Sequence, residues 1–277
     1  MKNITLLDGA SGTRLWELSE AAGCPKAASW TYNLEHPEFV TQVAGEYVAA
    51  GSQIICSNTF TANRQALGGK ADVADVVTAA VAAAKSAAGS SARVALDIGP
   101  LTELLEPYGD LEEDEAVEIF AETIDAGVAA GADLIFFETF MDLQMLLCGV
   151  RAAQRHCLPI FCSMSFQAGG RTMMGNSVSD VIEALTPLGV DAVGLNCSLG
   201  PAEALSVLRE FAEKTDLPLI FKPNAGLPVL GPDGKSVSPY TAETFAAEVA
   251  PALELATYVG ACCGSNADYI RLLKAEI

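Results

Sequence analysis

Leu134-Ile135-Phe136-Phe137-Glu138-Thr139, with Asp142-Leu143-Gln144-Met145 close behind, is the stretch on which the fold turns. Its unbroken apolar run predicts a strand from Leu134 to Phe137 that is covered on both faces, because a strand with one wet face would alternate polar and apolar residues. Glu138 falls directly at the strand's end. Asp142 then opens a helical pattern, as a short acidic side chain favours helix entry.

The same unit recurs in both directions along the chain. Further strands are predicted at Ile4 to Leu7, Gln53 to Cys56, Val94 to Ile98, Ile160 to Ser163, Ala192 to Leu195, Leu219 to Phe221 and Tyr258 to Gly260. Helices are predicted to begin near Pro37, Asp72, Glu112, Asp142, Ser179, Pro201, Ala242 and Asn266, and the Ala-rich run from Thr78 to Ala92 has high intrinsic helix propensity. Eight strand–helix repeats with no Pro-rich linker or charge block predict an α/β chain whose residues 1–277 form a single (β/α)8 TIM barrel. The competing architecture is a doubly wound open sheet, which favours G-x-G-x-x-G after its first strand. Asp8-Gly9-Ala10-Ser11-Gly12-Thr13 matches that pattern only loosely.

In a barrel of this kind the rim at the strand C-termini carries the chemistry. Asp8, Asn58, Asp97, Glu138, Ser165, Asn196, Lys222 and Cys262 all lie at or just after predicted strand ends.

Composition narrows the function. Sixteen Lys and Arg against thirty-five Asp and Glu give a net charge of -19, which repels nucleic acid and anionic membrane surfaces and favours cationic small molecules or basic partners. Apolar residues make up 51% of the chain, but their runs are interrupted well short of the roughly 18 to 20 residues that cross a bilayer. Met1-Lys2-Asn3-Ile4-Thr5-Leu6-Leu7-Asp8 turns acidic too early for a secretory leader, so a soluble cytoplasmic protein is expected. Eight cysteines in a chain with this much core material do not form a disulfide framework. Cys24 reads as a loop residue, and Cys56, Cys148, Cys157 and Cys162 as small buried hydrophobes.

Cys197, Cys262 and Cys263 read differently. Cys197 follows the sixth strand in Gly194-Leu195-Asn196-Cys197-Ser198, and the other two follow the eighth in Gly260-Ala261-Cys262-Cys263-Gly264-Ser265. One strand separates these two in a closed barrel, so the three sulfurs can meet, and the small flanking residues let two successive cysteines face the same way. Three thiolates suit Zn2+ and leave a fourth tetrahedral position for water or substrate. His36 and His156 read as surface residues that add no ligand. Three thiolates around one dication leave an added sulfur electron-rich, which suits alkyl transfer to a thiol, whereas hydrolytic zinc favours nitrogen or carboxylate ligands.

These residues belong to a longer pattern. Asp8-Gly9 through Gly12-Thr13, Ser57-Asn58-Thr59-Phe60, Glu138-Thr139, Gly194-Leu195-Asn196-Cys197, Pro223-Asn224-Ala225-Gly226-Leu227-Pro228 and Gly260-Ala261-Cys262-Cys263-Gly264 resemble, in order and spacing, the successive motifs of homocysteine S-methyltransferases. The likeness is greatest to the homocysteine-binding module of cobalamin-dependent methionine synthase. The resemblance implies a zinc-bearing barrel in which Cys197, Cys262 and Cys263 are the ligands and also the catalytic centre. It further implies that Asp8 and Glu138 receive the amino group of homocysteine and that the loop at Gly9 receives its carboxylate through backbone N–H groups. Asn224 is a candidate for the fourth zinc position when substrate is absent. Arg171 lies in a loop the family shares and is assigned no role. One departure is that the family's Asp-Leu continues to a Glu, where this chain has Asp142-Leu143-Gln144-Met145.

The implied reaction is methyl transfer to the homocysteine thiol, giving methionine. Neither histidine lies in the Asp-x-His-x-x-Gly of cobalamin binding, so a methyl-corrinoid donor would be a separate protein; this is the leading expectation. The alternatives are S-methylmethionine or S-adenosylmethionine as donor, or a non-catalytic zinc-bearing subunit that docks a corrinoid protein. A Schiff-base aldolase would need a strand-end lysine, which Lys222 alone could supply.

Overall fold

The computed structural model describes residues 3–226, 229–230 and 236–277; Leu227 and Pro228 of the motif quoted above lie outside the described residues. Eight parallel strands form one sheet: β1 (Thr5–Leu6), β2 (Ile54–Cys56), β3 (Arg93–Ile98), β4 (Leu134–Phe140), β5 (Ile160–Met164), β6 (Ala192–Asn196), β7 (Leu219–Lys222) and β8 (Tyr258–Val259). Their order is β2-β3-β4-β5-β6-β7-β8-β1. The seam between β1 and β2 is joined by Gln53, whose N–H donates to the Leu6 carbonyl at 2.8 Å and whose Oε1 accepts the Leu6 N–H at 3.1 Å. A side chain thus supplies the second rung where the ladder is incomplete. The α/β barrel expected from the repeat is the fold observed, nearly closed and flanked by helices.

The eight predicted helices are present at Pro37–Ala50, Val73–Ala88, Glu113–Ala129, Leu143–Ala153, Val178–Leu185, Pro201–Lys214, Ala242–Val249 and Ala267–Ala275. Their starts follow from local chemistry. Asp72, Asp142 and Asn266 each accept a backbone N–H of the first turn, and Ser177 with Asp180 forms a capping box. Three short helices, Gly12–Ala21, Thr31–Glu35 and Arg64–Leu67, lie in the loops after β1 and β2. None of these was expected, because they have little apolar periodicity; the first buries only Leu15 and Ser19.

Two apolar compartments result. A large one fills the space between barrel and helices. The smaller, inside the barrel, contains Leu7, Ile54, Ala95, Leu134, Phe136, Phe161, Ala192 and Ile220. Side chains alternate along a strand, so the residues two positions beyond Ile54, Ala95, Phe136 and Ile220 share this inner face: Cys56, Asp97, Glu138 and Lys222. The interior is therefore apolar in its lower layers and polar in its topmost one. Among the described residues, no helix is long and apolar enough to cross a membrane.

Gly194 allows β6 and β7 to approach, since a Cβ there would run into the backbone of Ile220. Gly194→Ala is expected to cost about 1–3 kcal/mol in urea unfolding. Gly12→Ala, whose added Cβ meets nothing within 4 Å, should change stability little.

Candidate functional site

The end of β6 and the loop after β8 bring three sulfurs together. Cys197 Sγ lies 3.8 Å from Cys263 Sγ, and the sulfurs of Cys197, Cys262 and Cys263 all lie within 4.8 Å of one another. A tetrahedral zinc with Zn–S bonds of about 2.3 Å places its sulfurs about 3.8 Å apart, so spacing and donor chemistry both fit such an ion. The segment after β7 sets the spacing. Cys262 N–H donates to Pro223 O at 2.9 Å, Ala225 N–H to Cys263 O at 2.9 Å, Asn224 N–H to Leu199 O at 2.9 Å, and Cys197 N–H to Lys222 O at 3.1 Å. Residues 222–225 thereby tie the cysteine of one strand end to the two of another. The first loop joins them through Asp8 O, which accepts Ala261 N–H at 3.0 Å, and Ser265 Oγ, which accepts Ala10 N–H at 3.2 Å. At Gly9 a Cβ would meet Ser265 Oγ at 2.6 Å, so this approach requires glycine.

The backbone is strained at this rim. The non-glycine residues with left-handed φ among those described are Thr139 at 66°, Cys197 at 62° and Ser198 at 59°. Such values are least favourable for a β-branched residue, so Thr139 needs support. Buried Asn196 provides it. Its Oδ1 accepts from Thr139 N–H and Ser163 Oγ–H, each at 2.7 Å, and its Nδ2 donates to Thr139 Oγ1 at 2.7 Å. The same Nδ2 lies 3.8 Å from Cys262 Sγ, so one amide links the Glu138–Thr139 turn to the sulfurs.

Crowding makes the three thiols hold their protons more tightly than an ordinary cysteine does. At Cys197 the contact with Cys262 lowers the pKa, but the contact with Cys263 and burial outweigh it and the value rises to about 11. Cys263 also reaches about 11, its contact with Cys197 pulling down against Cys262 and burial. Cys262 is pushed up chiefly by its contact with Cys197.

Beside the sulfurs, the barrel's top inner layer holds an ion-pair network. Lys222 Nζ donates to Glu138 Oε2 at 2.8 Å and to Asp8 Oδ1 at 3.1 Å, with only 3% of the lysine side chain exposed. The other Asp8 oxygen accepts the Cys56 N–H at 2.6 Å. Burial alone would lower the Lys222 pKa, but the acidic groups of Cys56, Glu138 and Asp8 outweigh it and hold it well above its ordinary value. Asp97, 7% exposed, has an Oδ1 with no hydrogen-bond partner, and burial followed by the charge of Glu138 pushes its carboxyl well up. Cys56, Asp97 and Glu138 place one donor atom each within 4.8 Å of the others. Two groups of described residues could therefore hold a metal ion, and both have donor types that zinc accepts.

The structure thus brings Cys197, Cys262, Cys263, Asp8, Gly9, Glu138 and Asn224 to one rim. Asn224 is buried, and its Oδ1 has no partner. The histidines lie elsewhere, half-buried, His36 on Glu38 and His156 on Asp125. Two cysteines depart from expectation. Cys157 is exposed, and Cys56 faces the ion-pair network with its sulfur 3.9 Å from Lys222 Nζ. Asp97 and Lys222 were placed at strand ends by the sequence but given no part in the site; their inner-face register was the signal. A cleft of about 640 Å³ opens beside Cys263, lined in part by Arg14, Glu46, Ser265, Asp268 and Arg271.

The sequence profile of the homocysteine S-methyltransferase family matches residues 5–277. This chain belongs to that family. It is 30% identical over 291 residues to the methionine synthase of Mycobacterium leprae (strain TN), and 31% identical over 297 residues to that of Mycobacterium tuberculosis (strain ATCC 25618 / H37Rv). Each alignment covers 98% of this chain and 24% of the relative, so the chain spans about a quarter of the length of these curated relatives. Among solved structures, the metallated form of the homocysteine methyltransferase MmuM from Escherichia coli superposes with a TM-score of 0.81 at 22% identity, covering 100% of this chain and 97% of that one. Its oxidized form superposes at 0.78 with 25% identity and the same coverage.

Within this family member, the Lys222 ammonium offsets carboxylates that would otherwise be buried together. With its pKa raised on folding, that contribution is complete below the unfolded value of about 10.4 and is lost only as pH rises through the folded value. Lys222→Met is therefore expected to cost about 3 kcal/mol or more at pH 7 in urea unfolding. Adding Asp8→Asn should recover part of that loss.

Proposed function

We propose that this chain transfers a methyl group to the thiol of homocysteine, with Cys197, Cys262 and Cys263 holding a zinc ion. The observation that carries the reading is the convergence of three thiols from two strand ends at the spacing of a tetrahedral sulfur site. Bound there, zinc would supply Lewis acidity that lets a thiol lose its proton at neutral pH. The chain's own residues do the rest. The acidic top layer of the barrel, which holds Glu138, draws the acceptor's ammonium, the Gly9 loop offers backbone N–H groups to its carboxylate, and Asn224, whose Oδ1 has no partner, is the group an acceptor would displace. Orienting acceptor and donor together makes the displacement effectively unimolecular. A carbon–sulfur bond forms to the homocysteine sulfur as the donor's bond to methyl breaks, and the thiol proton is released.

For the donor, the net charge of -19 attracts cations and favours a small sulfonium, S-methylmethionine or S-adenosylmethionine. The second reading is a methyl-corrinoid protein acting in trans, favoured by the 30–31% identity to methionine synthases. Three reduced thiols suit a reducing cytoplasmic location.

Zinc analysis and a donor panel test the proposal. Purified protein should carry zinc and form methionine from homocysteine and a sulfonium, read by mass spectrometry. If only methylcobalamin or a methyl-corrinoid protein serves, the second reading holds. Changes outside the ligand set of a metal site cost about 10- to 100-fold, so Cys197→Ala and Cys263→Ala should lose more than that in both zinc affinity and methionine formation. Bound zinc with no methionine from any donor would overturn methyl transfer and leave a docking subunit.

A further inference from the structure

Lys222 occupies the place between Asp8 and Glu138 that the family resemblance gives to the acceptor's amino group. Both Asp8 oxygens are engaged, Oδ1 by the lysine at 3.1 Å and Oδ2 by the Cys56 N–H at 2.6 Å. Glu138 commits Oε2 to the lysine at 2.8 Å. One carboxyl in this layer differs. Asp97 is buried with Oδ1 unpartnered, and it places an oxygen within 4.8 Å of an oxygen of Glu138. A buried carboxyl oxygen with no donor is costly unless a ligand completes it.

We propose that the acceptor's ammonium is received by Asp97 together with Glu138, while Asp8 acts through Lys222 as a counter-ion that holds the pocket's charge and orientation. The assignment rests on the reading of the chain as a thiol methyltransferase and makes Asp97 the residue that selects an aminothiol over a plain thiol acid.

Geometry and charge agree. An ammonium makes hydrogen bonds of about 2.8 Å to carboxylate oxygens, so two oxygens up to 4.8 Å apart can share one nitrogen. The two carboxylates Asp8 and Glu138 share the single ammonium of Lys222, which leaves negative charge in this layer, and a second cation arriving beside Asp97 would favour its ionised form. A divalent metal on Cys56, Asp97 and Glu138 would have to sit beside the Lys222 ammonium, which already holds Glu138 and lies 3.9 Å from the Cys56 sulfur. A monovalent ammonium with directional N–H donors suits that setting better.

The test uses zinc-loaded protein and calorimetric titration, which needs no methyl donor. The ligands are homocysteine and 4-sulfanylbutanoate, the same thiol acid without the amino group. Wild-type protein should prefer homocysteine by about tenfold or more, the scale of one charge-assisted hydrogen bond. Asp97→Asn keeps size and polarity; it should remove most of that preference while binding 4-sulfanylbutanoate within about twofold of wild type, which also establishes that the variant is folded. Unchanged homocysteine affinity in Asp97→Asn would overturn the assignment, as would equal loss of both thiols, which would make Asp97 a residue of the fold. A fall of one metal equivalent in Asp97→Asn would make the cluster a metal site and overturn it as well. If wild-type protein binds neither thiol, the methyltransferase reading itself fails.

Discussion

The chemistry of this molecule depends on one constraint: eight parallel strands in a nearly closed barrel must all end on the same rim, with alternate side chains pointing inward. Because the inner face repeats every second residue, a strand that starts apolar can change character in its last inward position. β2, β3, β4 and β7 all do so, ending in Cys56, Asp97, Glu138 and Lys222 above the layer that includes Ile54, Ala95, Phe136 and Ile220. A compact polar floor is thereby built on an apolar plug without burying a loop. The surrounding packing, with Lys222 Nζ 5.2 Å from the Phe136 ring, keeps its charges in a medium where pairing is worth far more than at the surface.

The sulfur site and the ion-pair network are separate clusters that share their supports. Residues 222–225 contribute the Lys222 ammonium on one side and the backbone groups that hold Cys197, Cys262 and Cys263 on the other. Asn196 is the second link, fixing the left-handed Thr139 next to Glu138 while its amide approaches the Cys262 sulfur. A change that moves one cluster must therefore act on the other through a few short backbone connections. Strain at Thr139, Cys197 and Ser198 is concentrated on these connections, as expected where surrounding structure over-determines an unfavourable conformation.

Much of this was legible in the sequence. Apolar runs located seven of the strands to within a residue at each end and fixed the start of β4, which continues three residues past Phe137 through Glu138 and Thr139, and Asp72, Asp142 and Asn266 marked helix entries that proved to be side-chain caps. The sulfur triad was legible because vicinal cysteines flanked by glycines have few structural uses. The short helices after β1 and β2 were not, since they lean on neighbours instead of carrying an apolar stripe of their own. Nor was the engagement of Asp8 by Lys222. Residues 214 positions apart meet only when the barrel closes, and a strand-end lysine has no local feature that tells a salt bridge from a solvent-facing charge. Cys56 illustrates the same limit, for a cysteine after two isoleucines reads as core until the register points it at the network.

The closeness of the sulfurs has a redox side. Cys197 and Cys263 lie 3.8 Å apart, against about 2.05 Å in a disulfide, so oxidative closure requires under about 2 Å of approach by one half-buried and one exposed side chain. A cation bound to all three sulfurs would compete directly with that closure, since a sulfur engaged in coordination is withdrawn from attack on its neighbour. Raised thiol pKa values oppose that closure, since the thiolate is the reactive form, so the same crowding that brings the sulfurs within reach of one another also slows their oxidation, and a metal held there would act on the same three atoms.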